Sequence, residues 1–367
     1  MTASVQEQAP VPERSSLDAQ TLRTLVDRVL QAAGADEDIA AQVAESLVSS
    51  NLCGVDSHGF MRVAGYLEEI RRGRIDPAAR PKIVRDEGAV VVVDGNRGFG
   101  QLAGCVAALA AVGKARQHGV GASLLSGSFH VGRVGEFAEL AAGRGCLALA
   151  FCNGGPPGGL VAPHGGRARA LGTNPIAYAV PAGRKPPIVA DFSTSTAAEG
   201  KIRLFRDAGR ALPPGWILDT GGSPSRDPRD LYEGGAILPM GGHKGYALGL
   251  LVEILGGVLA GEGCASRNED PGNGLVIIAL DVGRLVPPSE FGAKVDRVIE
   301  AVEGIEPGEG FARVLVPGGP EVAEQARREV AGIPFSRETW RTFVEAAATV
   351  RVDVQALLAA KKESPDV

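Results

Sequence analysis

His58, Arg62 and Tyr66 recur at every fourth position of the segment DSHGFMRVAGY. On a helix this spacing places the three side chains on one face, and the apolar residues of the segment fall on another side. Histidine exchanges a proton near neutral pH, arginine holds a carboxylate through two parallel hydrogen bonds, and tyrosine orients an oxygen atom. This combination suits a small 2-oxo or 2-hydroxy acid. A solvated helix face whose polar groups satisfy one another would show the same spacing, which leaves both interpretations open.

A second histidine lies in the segment SGSFHVGR (126–133), between a predicted buried strand and a predicted helix. A histidine at such a corner can face a ligand while nearby amides receive an anion. Two of the few lysines, Lys201 and Lys244, lie in glycine-flanked turns at predicted helix starts, where a cation favours a bound phosphate or carboxylate. A structural histidine and solvent-exposed lysines are the alternatives.

The segment AVVVVDGNRGFGQLAG contains a near match to the dinucleotide-binding fingerprint, Gly98-x-Gly100-x-x-Ala103. Four residues separate the strand from the first glycine, whereas the fingerprint requires a tight turn. No acidic residue ends a second strand about 20 residues further on, where a partner for the ribose would lie. We therefore predict a glycine turn beside a buried helix here, and not a Rossmann site.

Composition narrows the class of protein. The chain has 367 residues and a formal net charge of −5, which argues against a protein that coats nucleic acid. The stretch YALGLLVEILGGVLAG (246–261) is short and carries Glu253, so it predicts a buried helix and not a membrane span. The N-terminal residues lack the apolar region of a signal peptide, and the five cysteines are scattered without metal-ligand spacing. These features predict a cytoplasmic protein with reduced thiols and no metal.

The periodicity of apolar residues predicts a mixed α/β protein in which helical ends flank a strand-rich centre. Ser16 is the predicted N-cap of the first helix, whose apolar stripe runs from Leu22 to Leu30. The other terminal helices are predicted at 36–54, 58–73, 321–331 and 337–360. The predicted strands are 89–94, 120–125, 146–152, 174–180, 187–192, 275–282 and 311–316.

Six ordered motifs resemble the type 2 malate/L-lactate dehydrogenase family over residues 17–335. They are DSHGFMRVAGY, GSFHVGRVGEFAELA, APHGGRARALGTNPIAYAVP, DFSTSTAAEGKI, LPPGWILDTGG and LPMGGHKGYALGLLVEILGGVLAG. The sequences HVGRVGEF and GGHKGY are most similar to the hydroxycarboxylate dehydrogenase branch. Many members read Ser-Asn-His-Phe-Gly where this chain has Ser128 to Gly132. An imine reductase of the family has an acidic residue at the position of Lys201, and a cation there suits a hydroxy acid better.

The resemblance implies a non-Rossmann fold with a mixed, largely antiparallel sheet and flanking helical segments. We divide the chain accordingly into a helical domain (16–58 and 320–360), a substrate and dimerisation domain (59–120 and 275–319) and an NAD(P)-binding domain (121–274). It further implies NAD or NADP as cofactor and a homodimer whose active site lies near the subunit interface. The implied reaction interconverts a 2-hydroxy acid and a 2-oxo acid by hydride transfer. Reduction of a cyclic imine, or cofactor binding without turnover, are the alternatives.

The resemblance also assigns roles to individual residues. His58 is similar to the proton donor and acceptor, with Ser57 orienting it, and Arg62 to the carboxylate clamp. Tyr66 and Thr173 are implied substrate contacts, with Lys201 completing the catalytic set. His130 falls beside the nicotinamide and is called the catalytic base in some members. The remaining implied cofactor contacts are Val131, Gly132, Asp191, Phe192 and Ser193 (the last three as a ribose-contacting turn), His243, Lys244, Gly245, and, more weakly, Asn273, Pro317 and Gly318.

Overall fold

The computed structural model describes residues 16–267 and 272–363 and divides the chain into two compact units. Its helices are α1 (Ala19–Ala32), α2 (Glu37–Leu52), α3 (Val63–Arg71), α4 (Gly100–His118), α5 (Gly135–Ala142), α6 (Glu199–Asp207), α7 (Arg229–Tyr232), α8 (His243–Val252), α9 (Val282–Leu285), α10 (Pro288–Glu303), α11 (Gly319–Ala331), α12 (Arg337–Thr349) and α13 (Val354–Glu363). Its strands are β1 (Ser16–Leu17), β2 (Lys82–Glu87), β3 (Val90–Asp94), β4 (Val120–Ser126), β5 (Cys146–Cys152), β6 (Pro175–Val180), β7 (Ile188–Ser193), β8 (Ile217–Leu218), β9 (Pro224–Ser225), β10 (Ala236–Ile237), β11 (Leu275–Asp281) and β12 (Ile333–Pro334).

The first unit joins the two ends of the chain, up to Ala78 and from Pro320 onward, and is mainly helical. The predicted apolar stripe of α1 is fully buried. Its N-cap is Asp18, which accepts a hydrogen bond from the Thr21 amide, because Ser16 is engaged in strand β1 with Pro334. The predicted final helix is wrong as a single element. It is interrupted at Arg351, which has φ 62°, and the Asp353 carboxylate then accepts amide hydrogen bonds from the first turn of α13.

The second unit, Ala79–Gly319, is built on a seven-stranded sheet with the order β2-β3-β4-β11-β5-β6-β7. Only the β3–β4 pair is parallel, so the predicted mixed, largely antiparallel sheet is confirmed. Helices α4 and α5 contribute small and aromatic residues to a core on this sheet, including Ala107, Ala111 and Phe137. A smaller sheet, β10-β8-β9, has a core of its own around Ile202 and Ile217.

One predicted strand of this unit is wrong, and one observed strand was not predicted. The predicted strand 311–316 is not a strand, and its Phe311 is 74 % exposed. Strand β2 was not predicted because all six of its residues are exposed and show no apolar alternation. Strands from the segments 59–120 and 275–319 pair with those of 121–274 in one sheet, and the division into three domains remains a prediction. Among the described residues, none of the helices is both long and apolar enough to cross a membrane.

Candidate active site

The segment that carries His58 is not the single helix predicted for 58–73. Two 3-10 turns, Asp56–His58 and Phe60–Arg62, precede α3. Gly59 separates them with an extended backbone (φ −88°, ψ −160°), which ends the first turn before a helix can form. The predicted face with residues at every fourth position therefore does not exist.

His58 and Arg62 are nevertheless held by the same residue. The Oγ atom of Ser57 lies 3.0 Å from Nδ1 of His58, and the Ser57 carbonyl accepts a hydrogen bond of 2.5 Å from Nε of Arg62. A hydroxyl group can donate to Nδ1 of a neutral imidazole or accept from Nδ1–H of an imidazolium. Ser57 can therefore orient His58 in both of the protonation states that a proton donor passes through.

Tyr66 lies on a different face from the one predicted. It is 2 % exposed and shares the buried face of α3 with Val63 and Leu67. The prediction failed because α3 begins only at Val63, so its helical phase is not set by His58. A contact of Tyr66 with substrate remains a prediction.

In the second unit, strand register brings most of the predicted site residues to one edge of the large sheet. Leu275, at the start of β11, pairs with Leu125 at the end of β4 and with Cys152 at the end of β5. At the same edge, Pro175 opens β6 and pairs with Ser193, the last residue of β7. The segments that carry His130, Asn273 and Thr173 adjoin these strand ends in the chain.

The His130 segment is supported by the glycine-rich turn that resembles a dinucleotide fingerprint. The Gly98 carbonyl accepts a hydrogen bond of 3.1 Å from the Phe129 amide. A Cβ atom at Gly100 would lie 2.4 Å from the Phe129 carbonyl oxygen, so α4 can begin against this backbone only with glycine there. The predicted glycine turn beside a buried helix is confirmed.

Asn273 also holds the His130 segment. Its Oδ1 accepts from the Val131 amide at 3.1 Å, and its Nδ2 donates to the Asn153 carbonyl at 3.1 Å. Asn153, which sequence reasoning missed, is fully buried and its Oδ1 accepts from the Gly274 amide. No sequence motif indicates this pairing, because 120 residues separate the two asparagines.

The Thr173 turn depends on a buried acid that sequence analysis noted only as an interruption of an apolar stretch. Glu253 is 3 % exposed and lies in a π-helical segment, Glu253–Leu259, that continues α8. Its carboxylate accepts from Nδ2 of Asn174 and from the Ala265 amide, both at 2.7 Å. Asn174 has φ 43°, a conformation that few side chains adopt, and Glu253 helps to maintain it.

The predicted ribose-contacting residues lie within strand β7 and not in a turn. The Asp191 carboxylate accepts a hydrogen bond of 2.7 Å from the Gly135 amide at the start of α5. Pro317 and Gly318 lie beside the other end of β7, where the Pro317 carbonyl accepts from the Val189 amide. Four residues of strand, about 13 Å, separate that point from Ser193. Contacts of Pro317 and Gly318 with the cofactor remain a prediction.

The predicted phosphate contacts lie at the N-terminus of α8. Gly242 precedes the helix with φ 64°, and a Cβ atom at Gly245 would lie 2.1 Å from the Met240 carbonyl oxygen. The Met240 amide donates to the Thr194 carbonyl, which connects this turn to the end of β7. His243 and Lys244 are both exposed there. Lys201 lies in the first turn of α6, with its ammonium 5.3 Å from the centre of the Trp216 ring.

This set of groups fits a dinucleotide cofactor. Hydroxyl groups suit a ribose, and a lysine at a helix N-terminus with glycine before it suits a phosphate. Among residues 16–267 and 272–363, no three His, Cys, Asp or Glu side chains form a group that could hold a metal ion. The glycine-rich turn that resembles a dinucleotide-binding fingerprint supports the backbone of the His130 segment. The mostly antiparallel seven-stranded sheet and this donor set fit a dinucleotide-binding protein that lacks a Rossmann turn.

Comparison with known proteins gives the family. Residues 17–344 match the model of the malate/L-lactate dehydrogenase family. An L-lactate dehydrogenase of Cupriavidus necator is 36 % identical over 90 % of this chain and 97 % of its own, and hydroxycarboxylate dehydrogenase B of Escherichia coli O157:H7 is 34 % identical over 93 % and 96 %. A solved structure of a putative malate/lactate dehydrogenase from E. coli aligns with TM-score 0.88 at 33 % identity, covering 95 % of this chain and 99 % of that one. The chain belongs to the malate/L-lactate dehydrogenase family and is a dehydrogenase that uses a nicotinamide cofactor.

Proposed function

We propose that the protein interconverts a 2-hydroxy acid and a 2-oxo acid, with NAD or NADP as cofactor, His58 as the proton donor and acceptor, and Arg62 as the carboxylate clamp. The observation that carries this proposal is the attachment of both side chains to Ser57, through His58 Nδ1 and Arg62 Nε. His58 can give a proton to the carbonyl oxygen of a 2-oxo acid only if the substrate is held in place. A cation near His58 can hold it through its carboxylate, which adjoins that carbonyl.

The cofactor, when bound, supplies or accepts the hydride at C2 of the substrate. In the reductive direction the Arg62 guanidinium would hold the carboxylate through its terminal nitrogens. His58 would give the proton on Nε2 to the substrate carbonyl oxygen, and Ser57 would maintain the ring orientation. In the oxidative direction the same imidazole would take the proton from the hydroxyl group.

For the second unit, we propose that Asp191, Phe192 and Ser193 meet the ribose and that His243, Lys244 and Gly245 meet a cofactor phosphate. His130, Val131 and Gly132 would lie against the nicotinamide, and Thr173 and Lys201 would contact substrate. The supporting observation is the common sheet edge at which β4, β5, β6, β7 and β11 begin or end.

We further propose that the protein is a cytoplasmic homodimer. Along α8 and its continuation, Leu250, Leu251, Ile254 and Val258 are 39–59 % exposed, so the helix predicted to be buried at 246–261 has an exposed apolar face. An exposed apolar stripe of this kind suits a second copy of the chain. No disulfide joins any of the five cysteines, all of which lie in the described part of the chain. That supports a reducing compartment.

A substrate panel tests the proposed reaction. Pyruvate, oxaloacetate, sulfopyruvate and a cyclic imine carboxylate are offered with NADH and with NADPH, and loss of reduced nicotinamide is followed by absorbance. Turnover of a 2-oxo acid is expected. Turnover of the imine alone would support the alternative, an imine reductase, which the cation at Lys201 disfavours.

The Arg62 clamp has a matched control in the same segment. Losing a charge-assisted hydrogen-bonded pair costs about 1.5–3 kcal/mol, so Arg62→Met should raise KM for the 2-oxo acid roughly 10- to 150-fold. Arg71→Met should leave KM unchanged, since Arg71 is exposed and pairs with Glu68. An unchanged KM in Arg62→Met would remove the clamp assignment.

A further inference from the structure

The two 3-10 turns that carry the proposed catalytic groups are anchored by a residue from the other end of the chain. Arg328, on α11, donates from Nη1 to Asp56 Oδ1 at 2.6 Å and from Nη2 to Asp56 Oδ2 at 3.0 Å. It also donates to the Asn51 carbonyl at 2.7 Å and, from Nε, to Glu324 at 2.5 Å. Burial alone would lower the pKa of Arg328, but its hydrogen bonds to Asp56 and Glu324 raise it, so the guanidinium stays charged.

Asn51 extends this anchor across the segment. It is 1 % exposed, donates from Nδ2 to Asp56 Oδ1 at 2.6 Å, and accepts from the Phe60 amide at 2.9 Å. Asp56 opens the first turn and Phe60 opens the second. One amide side chain thus fixes both turns, and Ser57, His58 and Gly59 lie between the two points that it holds.

We propose that Arg328, Asp56 and Asn51 are positioning residues that set the orientation of His58 for proton transfer. This inference rests on the proposed role of His58. None of the three needs to touch the substrate, because they act through the backbone of the two turns. The bidentate ion pair fixes the entry of the segment, and Asn51 fixes its exit. Ser57 then orients the imidazole relative to this backbone through its contact with Nδ1 of His58.

A double-mutant cycle separates positioning from simple stabilisation. Arg328→Met should lower kcat per folded site by about 100-fold, which is the effect of misplacing a reacting group by about 1 Å. Folded sites are counted by binding of the nicotinamide cofactor, whose Kd should not change. In a His58→Gln background the same Arg328→Met change should alter the residual kcat by no more than about twofold, because the group that it positions is gone.

The neighbouring Arg327→Met is the control, since Arg327 pairs with the same Glu324 but its side chain is 55 % exposed. Its kcat should match the wild type. If Arg328→Met does not fold, Arg328→Lys replaces it in the cycle, since a single ammonium cannot reproduce the two-pronged contact. An equal loss from the Arg328 change in both backgrounds, or no loss in either, would overturn the positioning role. Wild-type turnover in His58→Gln would instead overturn the proposed role of His58.

Discussion

Gly59 offers a sharp test of how the His58 segment is packed. A Cβ atom at this position would lie 2.2 Å from Oδ1 and 2.3 Å from Nδ2 of Asn51, which is buried. Overpacking of a buried site costs about 1–3 kcal/mol. Displacing the Asn51 amide would also weaken its two hydrogen bonds, to Asp56 and from Phe60, at about 1 kcal/mol each. Gly59→Ala should therefore reduce the free energy of unfolding by about 2–4 kcal/mol after the usual gain of about 0.4–1 kcal/mol from a stiffer unfolded chain.

Gly65→Ala is the matched control, because nothing lies within 4 Å of a Cβ atom at this exposed helical position. Alanine should stabilise α3 by about 0.5–1 kcal/mol there. Both variants are compared by denaturant unfolding, with cofactor binding and kcat measured on the folded protein. Gly59→Ala should also lose activity. Equal stability and full activity of the two alanine variants would refute the packing described for Asn51 and Gly59.

Two further changes test the second unit. Asn273→Ala would leave the Val131 amide and the Asn153 carbonyl without this partner, so the free energy of unfolding should fall by about 1–3 kcal/mol per buried group. The Kd for the cofactor should also rise, and an unchanged Kd would contradict a support role for Asn273. Burial raises the pKa of the Cys152 thiol above its ordinary value of 9.0. The stability from this shift is complete below that value and declines as pH rises beyond it. In native protein at mildly alkaline pH, Cys152 should resist iodoacetamide until unfolding, and rapid native labelling by mass spectrometry would contradict its burial.

Local sequence patterns predicted most strands of the sheet but not how those strands pair. Strands such as β4 and β5 alternate buried and more accessible residues, but in the sequence they stand out only as short, mostly apolar runs that begin after a glycine. Strand β2 is polar and exposed on both faces, so only its pairing with β3 reveals it. Pairing register depends on the whole sheet and cannot be obtained from one segment.

For the candidate site too, the sequence indicated the residues but not their geometry. Residue chemistry indicated His58 and Arg62, and the motif resemblance assigned them roles. The assumed helix was wrong because Gly59, flanked by the polar DSH turn, packs on Asn51 and stops the helix. Arg328 lies 272 residues from Asp56, a separation at which no local pattern can report a contact.

The proposed mechanism depends most on His58 as the proton donor. We expect His58→Gln to lower kcat for reduction of the best 2-oxo acid in the panel by roughly 10²–10⁴-fold, with cofactor Kd unchanged. His130→Gln, measured in parallel, should affect cofactor binding more than kcat. Wild-type kcat in His58→Gln together with loss of kcat in His130→Gln would contradict the account and move the acid–base role to His130.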